Sequence, residues 1–153
     1  LIIAADTSLR WIRSNMGDTR PVVSRILETS LYVADLSRAL AFYERVFGFE
    51  IMLQDERMIA LAVPGRQVLL LFVHDGSIKP SATPFGMIPP HNASGQQHLC
   101  FSITHAELER RASHLASCGI AIESRLDWSK GGSSLYFRDP DGHSLKVGTP
   151  GLW

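Results

Sequence analysis

The chain lacks most of the features that fix a function at sight. It has 2 cysteines in 153 residues. Two thiols do not make a disulfide framework, so a reducing cytosol is the expected setting and the expected localisation is cytoplasmic. It has no net charge, because lysine plus arginine and aspartate plus glutamate number 15 each. A neutral chain offers no electrostatic footprint for nucleic acid or for an anionic membrane surface. No apolar run approaches the length of a membrane span. Glycine-rich phosphate loops, nucleophile elbows and zinc-spaced cysteine clusters are also missing.

What is present is a large apolar fraction, 45%, which suits one domain or two small fused modules. Residues 1–25 read as an N-terminal extension. Within it, Asp6, Arg10 and Arg13 interrupt LIIAADTSLRWIRSN, which does not resemble a secretory signal, and Met16 opens a more natural start. An extension is the favoured reading, beside a short helix packed on a partner subunit.

The informative feature is an internal repeat. ILETSLYVA, residues 26–34, alternates as a strand does. Asp35 follows as a helix N-cap, and Leu36, Leu40, Tyr43 and Phe47 recur at helical spacing. Gly48 stops the helix, and FEIML, MIALAV and QVLLLFV read as three strands. The second half repeats the order. QHLCFSIT is a strand, HAELERRASHLASCG a helix stopped at Gly119, and IAIES, SSLYFRD and HSLKVG are three more strands. The expected modules are residues 26–74 and 97–153, joined by a Pro-, Gly- and Ser-rich connection over 75–96. His98 stands in the second module where Glu28 stands in the first.

Strand alternation assigns faces. Leu27, Thr29, Leu31 and Val33 belong to the helix side, and Glu28, Ser30 and Tyr32 to the other. Leu99, Phe101 and Ile103 face the second helix, leaving His98, Cys100 and Ser102 opposite. Two sheets with such mixed second faces are expected to curl around a shared cavity.

LYVADLSRALAFYERVFGFE and SLYFRDPDGHSLKV, in that order, resemble the first-module signature and terminal hairpin of the vicinal oxygen chelate superfamily. This is the fold of glyoxalases, bleomycin-resistance proteins and extradiol dioxygenases. The resemblance covers residues 26–148. It implies an α+β fold of two tandem βαβββ modules, forming an open, curved mixed-sheet barrel around a cavity. It also implies a homodimer, and the closing PGLW segment with Trp153 reads as a candidate interface. Metal-using members draw ligands from the first and fourth strands of each module, which maps to Glu28, Leu70, His98 and Lys146. Glu28 and His98 suit a divalent ion (zinc, nickel, iron or manganese). Leu70 has no donor atom, and Lys146 stands where many relatives carry glutamate. A protonated lysine has no lone pair. Freeing one at pH 7 from a pKa of about 10.4 costs roughly 4–5 kcal/mol. The expectation is therefore a weak metal site or none.

Two readings of Lys146 follow: an ion pair with Glu28 that replaces the cation, or a solvated side chain at the cavity mouth. His98 is expected to act as a ligand or acid–base group. Glu28 needs His98, Lys146 or a metal as partner. Tyr32, Leu70, Phe72 and Cys100 are the expected ligand-contacting residues, with Cys100 an inert thiol. His74, His91 and His143 are assigned surface or lid roles, and His105 and His114 helix faces. Asp139 and Asp141 are assigned to a turn. Three functions fit: a metal-dependent lyase, isomerase or dioxygenase acting on vicinal oxygens; a non-catalytic small-molecule binder; and a metal-independent enzyme using His98 and Lys146. A glyoxalase-like protein with a degenerate metal site is favoured.

Overall fold

A computed structural model describes residues 20–153. The reading of residues 1–15, and most of the 1–25 extension, lies outside them. Each module is one helix on one four-stranded sheet. In the first, β1 (Glu28–Val33) leads to α1 (Leu36–Phe47), then β2 (Glu50–Gln54), β3 (Met58–Val63) and β4 (Gln67–Val73). In the second, β7 (His98–Ser102) leads to α2 (Leu108–Ser117), then β8 (Ser124–Asp127), β9 (Ser133–Arg138) and β10 (Ser144–Gly148). The strand orders are β1-β4-β3-β2 and β7-β10-β9-β8. In both, the first strand runs parallel to the fourth, which the intervening helix makes possible. The sheets are mixed and are not closed into a barrel.

The local signals act as their chemistry demands. The Asp35 carboxylate accepts from the Arg38 N–H at 2.9 Å and caps α1, and Gly48 ends it at φ 70°. Three details differ from the sequence reading. The connection contains a hairpin, β5 (Ser81–Thr83) paired with β6 (Gly86–Ile88), turning at Phe85 with Gly86 at positive φ. A 3-10 turn, His105–Glu107, precedes α2. The strand expected over IAIES begins only at Ser124, because Ile120 packs into the core and its N–H bonds the Leu115 carbonyl.

One apolar core joins the modules. Leu31 and Val33 of β1, Leu69 and Leu71 of β4, Phe137 of β9, and Leu145 and Val147 of β10 all meet in it. Phe47 stacks on Phe49 with ring centres 5.0 Å apart and packs on Phe101 at 4.6 Å. Helix-side faces are thus shared, and the opposite sheet faces lie outside this core.

The terminal turn adds a polar bolt between modules. Asp139 accepts from Tyr43 Oη of α1 at 3.0 Å, and from the His143 and Asp141 N–H groups at 2.8 and 3.0 Å. His143 is buried, correcting its surface assignment. Its Nδ1 accepts from Gln97 N and its Nε2 donates to the Tyr32 carbonyl at 2.8 Å, so the two bonds set its tautomer. Tyr32 N in turn donates to Gln97 Oε1. No helix among the described residues is long and apolar enough to cross a membrane.

Candidate functional site

The alternation in β1, β3 and β4 turns Tyr32, Met58, Ala60, Leu70 and Phe72 away from the main core. They floor a cleft of about 730 Å³ that also takes in Glu28, Ser30, Arg57, Ile88 and His91. Four of the expected site residues, Glu28, Tyr32, Leu70 and Phe72, therefore share one wall. Tyr32 stacks on Phe72 with ring centres 5.7 Å apart. Tyr32 Oη and His91 Nδ1 are hydrogen-bonded at 2.5 Å, and the imidazole stands edge-on to Phe72 at 4.5 Å.

His98, Cys100 and Lys146 lie on the corresponding face of the second sheet. Lys146 is directly opposite Cys100 across the parallel β10–β7 pair. Neither reading of Lys146 matches its surroundings. It is only 4% exposed, so it is not a solvated side chain at a mouth. Its Nζ lies over Trp128 at 4.9 Å, Tyr136 at 5.4 Å and Trp153 at 5.9 Å, measured to ring centres. The ion pair with Glu28 is replaced by an aromatic cage. Trp128 is fixed there by its indole N–H, which donates to the buried Ser134 Oγ at 2.9 Å. His98 is exposed; its ring lies parallel to Tyr136 and its Nδ1 is bonded to the Ser144 carbonyl at 2.8 Å. Cys100 is exposed, not the buried thiol expected; partial desolvation of its sulfur still raises the thiol pKa, opposed by the nearby Lys146 charge.

The C-terminal segment lies on this same face. Thr149 N donates to the Ser133 carbonyl, and Ser133 N to Thr149 Oγ1. Thr149 to Trp153 line a cavity of about 480 Å³ with Cys100 and Ser102. A further cavity of about 470 Å³ at the seam of the modules brings Glu28 and Cys100 together with Phe47, Phe49 and Arg111.

The residues present do not fit a divalent cation within one chain. Among the described residues, no three His, Cys, Asp or Glu side chains are grouped to hold one. Lys146, which the family resemblance sets at a carboxylate-ligand position, is an ammonium group matched to aromatic faces.

Several site residues escaped the sequence reading. Tyr136 was legible, because period two places it with Ser134 and Lys146 on one face. Trp128, Arg57, Ser77 and His91 come from turns and the connection, where no periodicity assigns a direction.

The model of the Glyoxalase/Bleomycin resistance protein/Dioxygenase superfamily matches residues 25–147. The crystal structure of a lactoylglutathione lyase from Agrobacterium tumefaciens superposes with a TM-score of 0.78 at 39% identity, covering 86% of this chain and 97% of that one. A catechol-2,3-dioxygenase of Bacillus subtilis is 30% identical over 118 residues, 76% of this chain but only 38% of the dioxygenase. A metallothiol transferase FosB of Lysinibacillus sphaericus is 27% identical over 119 residues, 76% of each protein. With the paired βαβββ modules already in view, these matches mean that the chain belongs to the glyoxalase, bleomycin-resistance and dioxygenase superfamily, the vicinal oxygen chelate proteins.

Proposed function

We propose that this chain is a small-molecule-binding member of its superfamily whose divalent-metal site is degenerate. Its ligand occupies the first-module cleft. The observation that carries this reading is Lys146, buried beneath Trp128, Tyr136 and Trp153 at the position corresponding to a metal-binding glutamate. A cation placed beside that ammonium would be repelled, and neither Leu70 nor Lys146 offers it a carboxylate. The cleft has the size and mainly apolar lining of small-molecule sites, with a few polar groups converging on it.

The ion content of protein purified without chelators tests the reading. Substoichiometric divalent metal is expected in the wild type, rising toward one ion per chain in Lys146→Glu, which restores a carboxylate. One tightly held ion per wild-type chain would overturn it.

The chain is proposed to act as a homodimer. Met52 and Leu53 on β2 line the cleft and, with Ile51 and with Phe85 and Met87 on the hairpin, are exposed. A second copy would cover them.

A further inference from the structure

The connection between modules is built against the cleft. Asp75 has φ 60°, a left-handed conformation uncommon for a residue with a side chain. Two hydrogen bonds hold it to Asn92: Asn92 Nδ2 donates to Asp75 Oδ1 at 2.7 Å, and Asp75 N to Asn92 Oδ1 at 3.4 Å. At Gly76 a Cβ would fall 2.6 Å from Val73 Cγ1 and 3.1 Å from Arg57 Cγ, so the absent side chain lets the turn press on the arginine stem. Ser77, buried, then joins two groups of the cleft. Its carbonyl accepts from His91 N at 2.9 Å, and its hydroxyl from Arg57 Nη1 at 3.3 Å.

Arg57 is half-buried, and among the described residues no carboxylate pairs with its guanidinium. The bond to Ser77 engages one of its nitrogens and leaves the rest of a planar donor fork unengaged by these residues. Such a fork matches a carboxylate in two parallel bonds. Tyr32 adds a hydroxyl to the same cleft, with His91 on its oxygen. When His91 Nδ1–H donates to Tyr32 Oη, the Tyr32 O–H is free to donate to a ligand. Phe72, Leu70, Met58 and Ala60 provide an apolar floor. Glu28 also lines the cleft, so the fixed charges of its wall cancel and a dianion such as phosphate would be poorly balanced.

We propose that the first-module cleft binds an apolar-bodied monocarboxylate, its carboxylate on Arg57 and the Tyr32 hydroxyl and its body against Phe72. Ser77 and His91 are positioning residues. The proposal rests on the reading that this cleft is the ligand site.

The test titrates the full chain with 2-naphthoate and with its neutral isostere 2-naphthamide, followed by backbone amide NMR. Naphthoate is expected to bind saturably, shifting Tyr32, Arg57, Phe72 and His91, with affinity about tenfold or more above the amide. Arg57→Gln should bring naphthoate down to the amide's affinity and leave the amide's own affinity unchanged, which also verifies that the variant is folded. Tyr32→Phe should weaken naphthoate about three- to tenfold. Equal affinities for acid and amide, absence of saturable binding at millimolar ligand, shifts confined to Trp128 and Tyr136, or an unaffected Arg57→Gln would each overturn it. Metal content of the same samples keeps the two readings apart. A stoichiometric ion with selective naphthoate binding defeats only the degenerate-metal reading. Metal-poor protein that does not distinguish acid from amide defeats only this one.

Discussion

Asp139 shows how much of this fold hangs on single polar atoms. Both carboxylate oxygens are used, Oδ1 by the His143 and Asp141 N–H groups and Oδ2 by the Tyr43 hydroxyl. Burial raises its pKa above the ordinary carboxylate value, although the backbone donors of His143 and Asp141 and the Tyr43 hydroxyl pull the other way. The native state therefore holds the Asp139 proton more tightly than the unfolded chain does. The stability it adds by that route is complete below the unfolded pKa and is lost as pH rises through the native one. At pH 7 its net value lies in the donors it satisfies. Asp139→Ala leaves them unpartnered and should lower unfolding free energy by about 2–4 kcal/mol. Asp139→Asn keeps Oδ1 as acceptor and can offer its amide to Tyr43 Oη, so its loss should stay below about 1 kcal/mol. Urea denaturation at pH 7 measures both; equal losses would show that the hydrogen bonds are not the source. Lys146 illustrates the opposite solution, a buried charge matched to ring faces instead of to an anion.

At the scale of elements, the C-terminal segment is seated on the second sheet through glycines. A Cβ at Gly148 would meet Leu152 Cδ2 at 2.7 Å and Cys100 Sγ at 3.4 Å. The first contact is the end of a flexible side chain, which can move aside. A Cβ at Gly151 would meet Gly132 N and Lys130 O, both at 2.6 Å, and Gly151 has φ 97°. There backbone must shift and the conformation is itself strained. Gly148→Ala should therefore cost less than about 1 kcal/mol, and Gly151→Ala about 1–3 kcal/mol. The contact of this segment with Lys146 was not legible in the sequence, where Trp153 reads as an interface residue. The strands were legible, because a period of two puts Leu31 and Val33 in the core and Tyr32 in the cleft whatever lies around them. His91 and His143 were not. Their roles come from partners 59 and 111 residues away in sequence, and no local pattern encodes such contacts.

At the scale of the molecule, the repeat foretold two matched sheets but not how they share their surfaces. The helix-side faces merge into one core, so Glu28 stands in the first cleft while His98 and Lys146 stand on the second sheet's face. A chain arranged in this way leaves apolar surface uncovered. Met52 is 61% exposed, Leu53 58%, Met87 63% and Phe85 98%. Scattered exposed apolar residues are ordinary, but Met52, Leu53 and Ile88 line the first-module cleft itself, and apolar surface there suits a contact with a second copy. Light scattering at micromolar concentration is expected to give twice the 16.9 kDa chain mass. Met52→Glu together with Phe85→Ser places charge and polarity in the patch without touching the core, and should shift the protein toward monomer while its fold persists. A wild-type monomer would overturn the dimer, and a dimer indifferent to both changes would place its interface elsewhere. If the cleft is covered by the second copy, the same double variant should also speed ligand dissociation, because the wall that excludes water would be gone.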